Sequence, residues 1–175
     1  GRSIHGSCNY LIPHTTMLSY TLAAPVLGMA QGAVDTFEEQ VMGRVTYTTG
    51  DKLGENPSVH IRLSEAEAEV HCARLIMKYD GEEVFGQARR GEMPSLSQRA
   101  RCRRNQAYMA KLAVRAVDRL FEASGGHVLF NSNPMQRFHR DAHAASHHFG
   151  IHWETQAEEY GRVRLGLELK NPGRI

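Results

Sequence analysis

Five of the ten histidines in the chain stand between His139 and His152. Imidazole titrates near neutral pH, so this density puts proton transfer and metal ligation first among the chemistries to consider. His139, His143 and His147 recur at four-residue steps, which is one face of a helix, and His148 and His152 form a second stripe beside it. Imidazoles at i and i+4 can both ligate zinc or iron. Metal sites in helical bundles usually add a carboxylate in a Glu-x-x-His pattern, which this stretch lacks, and no metal is expected. A metal-binding bundle stays as the least favoured of three readings; the others are a polar helix face at a subunit or domain contact, and one or two imidazoles acting as acid–base groups. Neighbouring positions on one helix point about 100° apart, so only one of His147 and His148 should face a given pocket. The three cysteines, Cys8, Cys72 and Cys102, are widely spaced and form no CxxC pair. That fits a reducing, cytoplasmic setting and argues against a thiolate zinc site.

The elements that must position these residues read as helices. From about Thr15 to Thr48, Leu18, Leu22, Val26, Met29, Ala33, Phe37 and Val41 keep the helical period, with Pro25 inside. Gly28 and Gly32 in that helix suggest close approach by another helix. A second helix is predicted over Ser58 to Tyr79, ended by Asp80-Gly81 and followed by a polar, glycine-rich stretch over 81–94. A third begins near Ser95. It carries a basic run, Arg99, Arg101, Arg103, Arg104, Arg115 and Arg119, that reads as a solvated or interface face, and Ser124-Gly125-Gly126 stops it. A fourth starts at Pro134 behind the N-cap Asn133 and continues to about Glu158. The tail from Gly161 to Ile175 contains RVRLGLELK, a short strand or an extended segment.

Four such helices joined by short or moderate loops predict an all-α, antiparallel four-helix bundle over residues 15–160. Residues 1–14 read as a lead-in from an upstream domain and 161–175 as a C-terminal tail. Over 175 residues, 41% are hydrophobic and 23% charged, which suits one globular domain. A net charge of +2 is too balanced to argue for a nucleic-acid or membrane partner. No apolar run long enough for a membrane span and no signal peptide are read.

The order of several motifs is more specific than any one of them. AAPVLGMAQGAVDTF comes first, then Arg44-Val45-Thr46-Tyr47, then Glu122 to Gly126, then Gln136 to Asp141. Together, over residues 15–155, they resemble the C-terminal helical domain of the acyl-CoA dehydrogenase superfamily. The dehydrogenases place a catalytic Glu where this sequence has Phe149, so ordinary dehydrogenase activity is not expected, although some members carry the base elsewhere. AVDRLFEASGGHVLF, NPMQRFHRDAHAASHH and the segment ending in AAPVLG look closer to the flavin-dependent monooxygenases. That branch includes hydroxylases of phenolic and steroid-derived aromatics and oxidisers of dibenzothiophene.

The resemblance implies the oxygenase component of a two-component system. Reduced flavin (FMNH2 or FADH2) comes from a separate flavin reductase, molecular oxygen is co-substrate, and a flavin C4a-(hydro)peroxide delivers one oxygen atom to an aromatic or steroid-derived substrate. It implies a homotetramer and a catalytic histidine at His148, with His147 as the second candidate. It places Arg44, Thr46, Gly125 and Gly126 at the cofactor of a neighbouring subunit. Arginine can hold a phosphate through two donors, and glycines let backbone N–H groups approach it. Glu122 stands where dehydrogenases often have Gln, and an anionic side chain there is unfavourable beside a phosphate. The family also has a helical and a β domain ahead of this bundle, so the chain is expected to be the C-terminal part of a longer protein, inactive alone. The alternatives are a dehydrogenase-like oxidoreductase and a non-catalytic helical oligomerisation domain.

Overall fold

The computed structural model describes residues 2–46 and 50–175. Tyr47 and Thr48, in the loop expected to follow or end the first helix, lie outside the described residues. Five helices of twelve residues or more are present among those described: α1 Tyr20–Met42, α2 Pro57–Arg89, α3 Leu96–Ala123, α4 Pro134–Ser146 and α5 Trp153–Arg164. One helical turn, His14–Leu18, leads into α1. The described residues contain no strand; a single antiparallel bridge between Val45 and Lys52 closes the loop from α1 to α2. α3 is the central rod and packs against α1, α2, α4 and α5. Phe37, Met109, Val117, Leu120 and Met135 are fully buried at its contacts.

Local chemistry sets most of the boundaries. Asn56 and Asn133 accept hydrogen bonds from the N–H groups of Ser58 and Met135, each ahead of a proline in the first turn. Ser95 and Gln98 form a reciprocal capping box at the start of α3. Gly125 takes φ +68° behind α3, the left-handed stop that its position implied. Gly32 allows the expected close approach: a Cβ there would lie 2.7 Å from the Phe138 ring on α4. Gly28 has nothing within 4 Å and faces open space.

Three expectations need correction. First, Asp80-Gly81 does not end α2, which continues to Arg89. The Asp80 carboxylate is fully buried. It accepts hydrogen bonds from the Tyr20 hydroxyl on α1 (2.6 Å) and the Asn105 amide on α3 (2.8 Å), and the Arg101 guanidinium stands 3.3 Å from its other oxygen. Val84 and Ala88 are then buried one and two turns on, so tertiary contacts override the local stop signal. Second, the arginine run is not a solvated face: most of it is partnered within the chain, although only Arg103 is buried and Arg115 stays exposed. Arg101 also pairs with Glu83, and Arg103 is buried against the Ser19 hydroxyl. Arg115 and Arg119 pair with Glu69, and Arg119 reaches Glu65 at 2.6 Å. These contacts tie α3 to α2 and to the segment before α1.

Third, the helix read as continuous from Pro134 to Glu158 is two. α4 ends at Ser146, a short 3-10 turn spans Phe149–Ile151, and α5 begins at Trp153. The cause is packing: Gly150 is buried, and a Cβ on it would lie 3.0 Å from Leu22 and 3.1 Å from the Ser19 hydroxyl. The backbone leaves the helix to press against the start of α1, and fully buried Ile151 follows it in. α5 carries the chain to Arg164, so part of the predicted strand is helical. The tail is held by Glu159, whose carboxylate accepts from the backbone N–H groups of Lys170 and Asn171. The segment His14–Met42 does reach the length and apolarity of a membrane span. Its residues Ala23, Val26, Ala30, Val34 and Phe37 are buried in this bundle.

Cys102 lies beside the Asp80 cluster, where burial and that carboxylate push its thiol up to about 12. Burial and the same carboxylate drive the Tyr20 phenol well above its ordinary range. Removing the carboxylate leaves Tyr20, Asn105 and Arg101 without their shared partner. Asp80→Ala should therefore cost about 3–5 kcal/mol, the usual scale for breaking a buried pair on one side. Urea unfolding checks this. In parallel, a thiol reagent should label exposed Cys72 but not Cys102 in the native protein, and should reach Cys102 in the variant at sub-denaturing urea.

Candidate functional site

The break between α4 and α5 puts two histidines in one place with opposite roles. His147 is the C-cap of α4, and its Nδ1 lies 2.7 Å from the carbonyl oxygen of His143. A carbonyl only accepts, so Nδ1 carries the proton and the neutral ring presents Nε2 as an acceptor. His148 has left the helix, with φ −63° and ψ 132°. Its Nδ1 accepts a hydrogen bond from the Gly150 N–H at 3.1 Å, so the neutral ring carries its proton on Nε2 and presents a donor. Both residues are exposed and border a cleft of about 400 Å³, walled by Thr21, Leu22 and Pro25 of α1 and by Ala144 and Ala145 of α4.

This corrects the helical expectation that only one of the pair can face a given pocket. The helix ends between them, and the 100° rule does not apply across the break. His148 and His152 form no second stripe either, since both sit in extended backbone at the start of short elements. Phe149, at the position dehydrogenases fill with Glu, is an exposed ring beside His148. No carboxylate lines this cleft among the described residues.

The second expected group gathers at the far end of α1. Arg44 donates from Nη1 to the carbonyl oxygen of Ser124 at 3.2 Å, which brings its guanidinium to the Gly125-Gly126 turn. A cation also suits this end of α3, where the carbonyl ends of the peptide dipoles gather. A Cβ at Gly125 or at Gly126 would meet no atom within 4 Å, so backbone can approach an anion there. The Arg44 guanidinium and the open backbone at the two glycines could hold an anion, the guanidinium offsetting the carbonyl end of the α3 dipole. Thr46 lies in the following turn, where its N–H donates to Asp51 and its carbonyl accepts from Gly50. Tyr47, the last member of that motif, is outside the described residues. Glu122 points into solvent, which removes it as a buried anion beside the turn.

The two groups lie far apart within the chain. Pro25 borders the histidine cleft and Met42 ends the helix beside Arg44, so most of α1 separates them, about 26 Å of helical rise.

One cluster escaped the sequence reading. Asp118 on α3 accepts from His143 Nε2 at 2.7 Å and lies 3.2 Å from His139 Nε2. Burial and the neighbouring His143 hold the His139 imidazole below its ordinary range. The four-residue spacing of the two histidines was visible. Their carboxylate partner is on another helix, where no local motif could show it.

Residues 20–153 match the family described as acyl-CoA dehydrogenase, C-terminal domain. The chain is 33% identical over 161 residues to the flavin-dependent monooxygenase, oxygenase subunit HsaA, of Rhodococcus jostii (strain RHA1), covering 91% of this chain and 42% of that protein. It is 34% identical over 168 residues to the FADH(2)-dependent resorcinol hydroxylase, oxygenase component, of Rhizobium sp. (strain MTP-10005), covering 91% and 41%. The crystal structure of 3-HSA hydroxylase from Rhodococcus sp. RHA1 superposes with a TM-score of 0.87 at 30% identity, over 97% of this chain and 42% of that one. The chain thus spans about two-fifths of the length of these relatives. The matched residues run from the start of α1 to the start of α5 and take in both the histidine cleft and the Arg44 turn, and the chain belongs to the acyl-CoA dehydrogenase C-terminal domain family.

Proposed function

We propose that this chain is the C-terminal part of a reduced-flavin-dependent monooxygenase that hydroxylates a phenolic substrate, aromatic or steroid-derived. The observation that carries this reading is the pair of opposed imidazoles at the end of α4. A phenol must give up or share its proton to become a strong nucleophile. His147 offers Nε2 to take that proton, and its Nδ1 hydrogen bond to the His143 carbonyl fixes the tautomer. His148 offers Nε2–H to the same oxygen as negative charge develops there. Leu22, Pro25, Ala144 and Ala145 supply apolar walls that limit water around the reacting groups. When bound, reduced flavin supplies the electrons that activate dioxygen, and one oxygen atom goes to the substrate.

Arg44, Thr46 and the Gly125-Gly126 turn would hold the phosphate end of a flavin whose ring lies at the cleft of a neighbouring copy. The separation along α1 supports this, and it makes a homo-oligomer, in the family a tetramer, part of the reading. The flavin reductase is a separate protein, and FMN and FAD share the phosphate chemistry invoked here. The three unpaired cysteines suit a cytoplasmic setting. His148, the first candidate for the catalytic imidazole, keeps a role here as donor to the developing phenolate, and the hydrogen bonds support His147, the second candidate, as proton acceptor.

In the full-length protein supplied with its reductase, His147→Ala should lower hydroxylation about 10²–10⁴-fold near neutral pH. The loss should shrink as pH approaches the ordinary phenol value of about 10, where the substrate ionises without help. His148→Ala should be impaired at every pH, with hydrogen peroxide released in place of product. Product analysis beside peroxide assay over a pH series checks both. Full coupling in both variants would remove the histidines from the chemistry.

Arg44→Ala should weaken reduced-flavin binding by about 1.5–3 kcal/mol, roughly 10- to 150-fold, as for one charged hydrogen bond. Anaerobic flavin titration gives the affinity, and unchanged binding would return Arg44 to a helix-capping role.

A further inference from the structure

We infer that Asp118, His139 and His143 form a binding site for a zinc-class divalent cation that ties α3 to α4. The ligand atoms already converge: each Nε2 lies within 3.2 Å of the same carboxylate oxygen, and the three donors are all within 4.8 Å of one another. A tetrahedral zinc with bonds of about 2.1 Å holds its ligands roughly 3.4 Å apart, so small adjustments of the three side chains would seat the ion. Two imidazoles and one carboxylate are a donor set that zinc accepts.

The rings are held for the purpose by the fold. His139 and His143 stand one turn apart on the same face of α4, with ring centroids 4.6 Å apart. His139 is stacked on Phe121 of α3 at 4.1 Å. The side chains are 34–38% exposed, which leaves room for water to complete the coordination. Without an ion, two imidazole N–H groups converge on one oxygen; a single cation would replace both protons. His143 also accepts from His147 through its carbonyl, so an ion here would stiffen the helix end that carries the candidate catalytic pair. The inference rests on these three side chains alone and does not depend on the oxygenase reading.

The test uses purified protein stripped of metal with a chelator, titrated with Zn²⁺ by calorimetry and with Co²⁺ as a visible-absorption probe. One ion per chain should bind at micromolar concentration or tighter, with Co²⁺ giving four- or five-coordinate d–d bands. Asp118→Asn and His143→Gln should each weaken binding by more than about 100-fold, beyond what loss of an outer partner alone costs. His152→Ala, a control for ordinary surface histidine, should bind as the parent does. Zinc at a hundredfold over its Kd should raise the Tm of the parent by about 5–10 °C and leave the Tm of the ligand variants unmoved. His139→Gln supplies a third variant should either of the others fail to fold, as judged by metal-free melts. Metal binding unchanged in the ligand variants, or no saturable binding by the parent, would overturn the inference.

Discussion

A carboxylate sealed from water has to be answered on every side, and Asp80 is answered by α1 and α3 while sitting on α2. Tyr20, Asn105 and Arg101 reach it from those two helices. Unpaired burial of such a charge costs several kcal/mol. The three longest helices are therefore fixed in register by a polar contact that tolerates few alternatives, while the apolar faces alone would allow some sliding. Everything downstream inherits this frame. α3 can serve as the rod for α4 and α5 because α1 and α2 already hold it.

The site depends on a second departure from regular helix. Gly150 lies against Leu22 and Ser19, close enough that a side chain would have to push them aside by a few tenths of an ångström, and the backbone leaves the helix there. That one backbone contact turns a string of histidines into two rings with opposite hydrogen-bonding sense. His147 is locked by the carbonyl one turn behind it, His148 by the N–H two residues ahead. Their difference comes from the end of the helix and not from their neighbours in sequence.

The helical class and the bundle were legible because periodicity and caps act locally. Asn56, Ser95, Asn133 and Gly125 each mark a boundary through hydrogen bonds or dihedral angles to near neighbours. The errors fell where distant residues decide. Asp80-Gly81 looks like a stop until Tyr20 and Asn105 are brought to it. The arginines of α3 look solvated until Glu65, Glu69 and Glu83 face them across the α2 contact. The candidate site was legible as residue types. Arg44 and Gly125 do meet, through Ser124, yet nothing in their spacing says so. Asp118 was invisible as a partner of His139 and His143 because a helix pair, not a motif, joins them. Tautomers were also out of reach, since His147 answers to a carbonyl inside α4 and His148 to the Gly150 N–H, whose position depends on the break after Ser146.

The contact of Gly32 with Phe138 has a mechanical reading. α4 rests on α1 at that point like an arm on a fulcrum, with His147 at its tip about 13 Å further along. A single methyl group at Gly32 would have to lift the Phe138 ring before α4 could settle. If the ring could not swing aside, the displacement would pass along α4 to the tip, and groups in a site are sensitive to misplacement on the order of 1 Å. Gly32 and Pro25 stand seven residues apart on α1, as do Phe138 and Ala145 on α4, so this contact lies on the same seam as the cleft, two turns along. A residue that touches neither imidazole thus lets the two helices that wall the cleft come together.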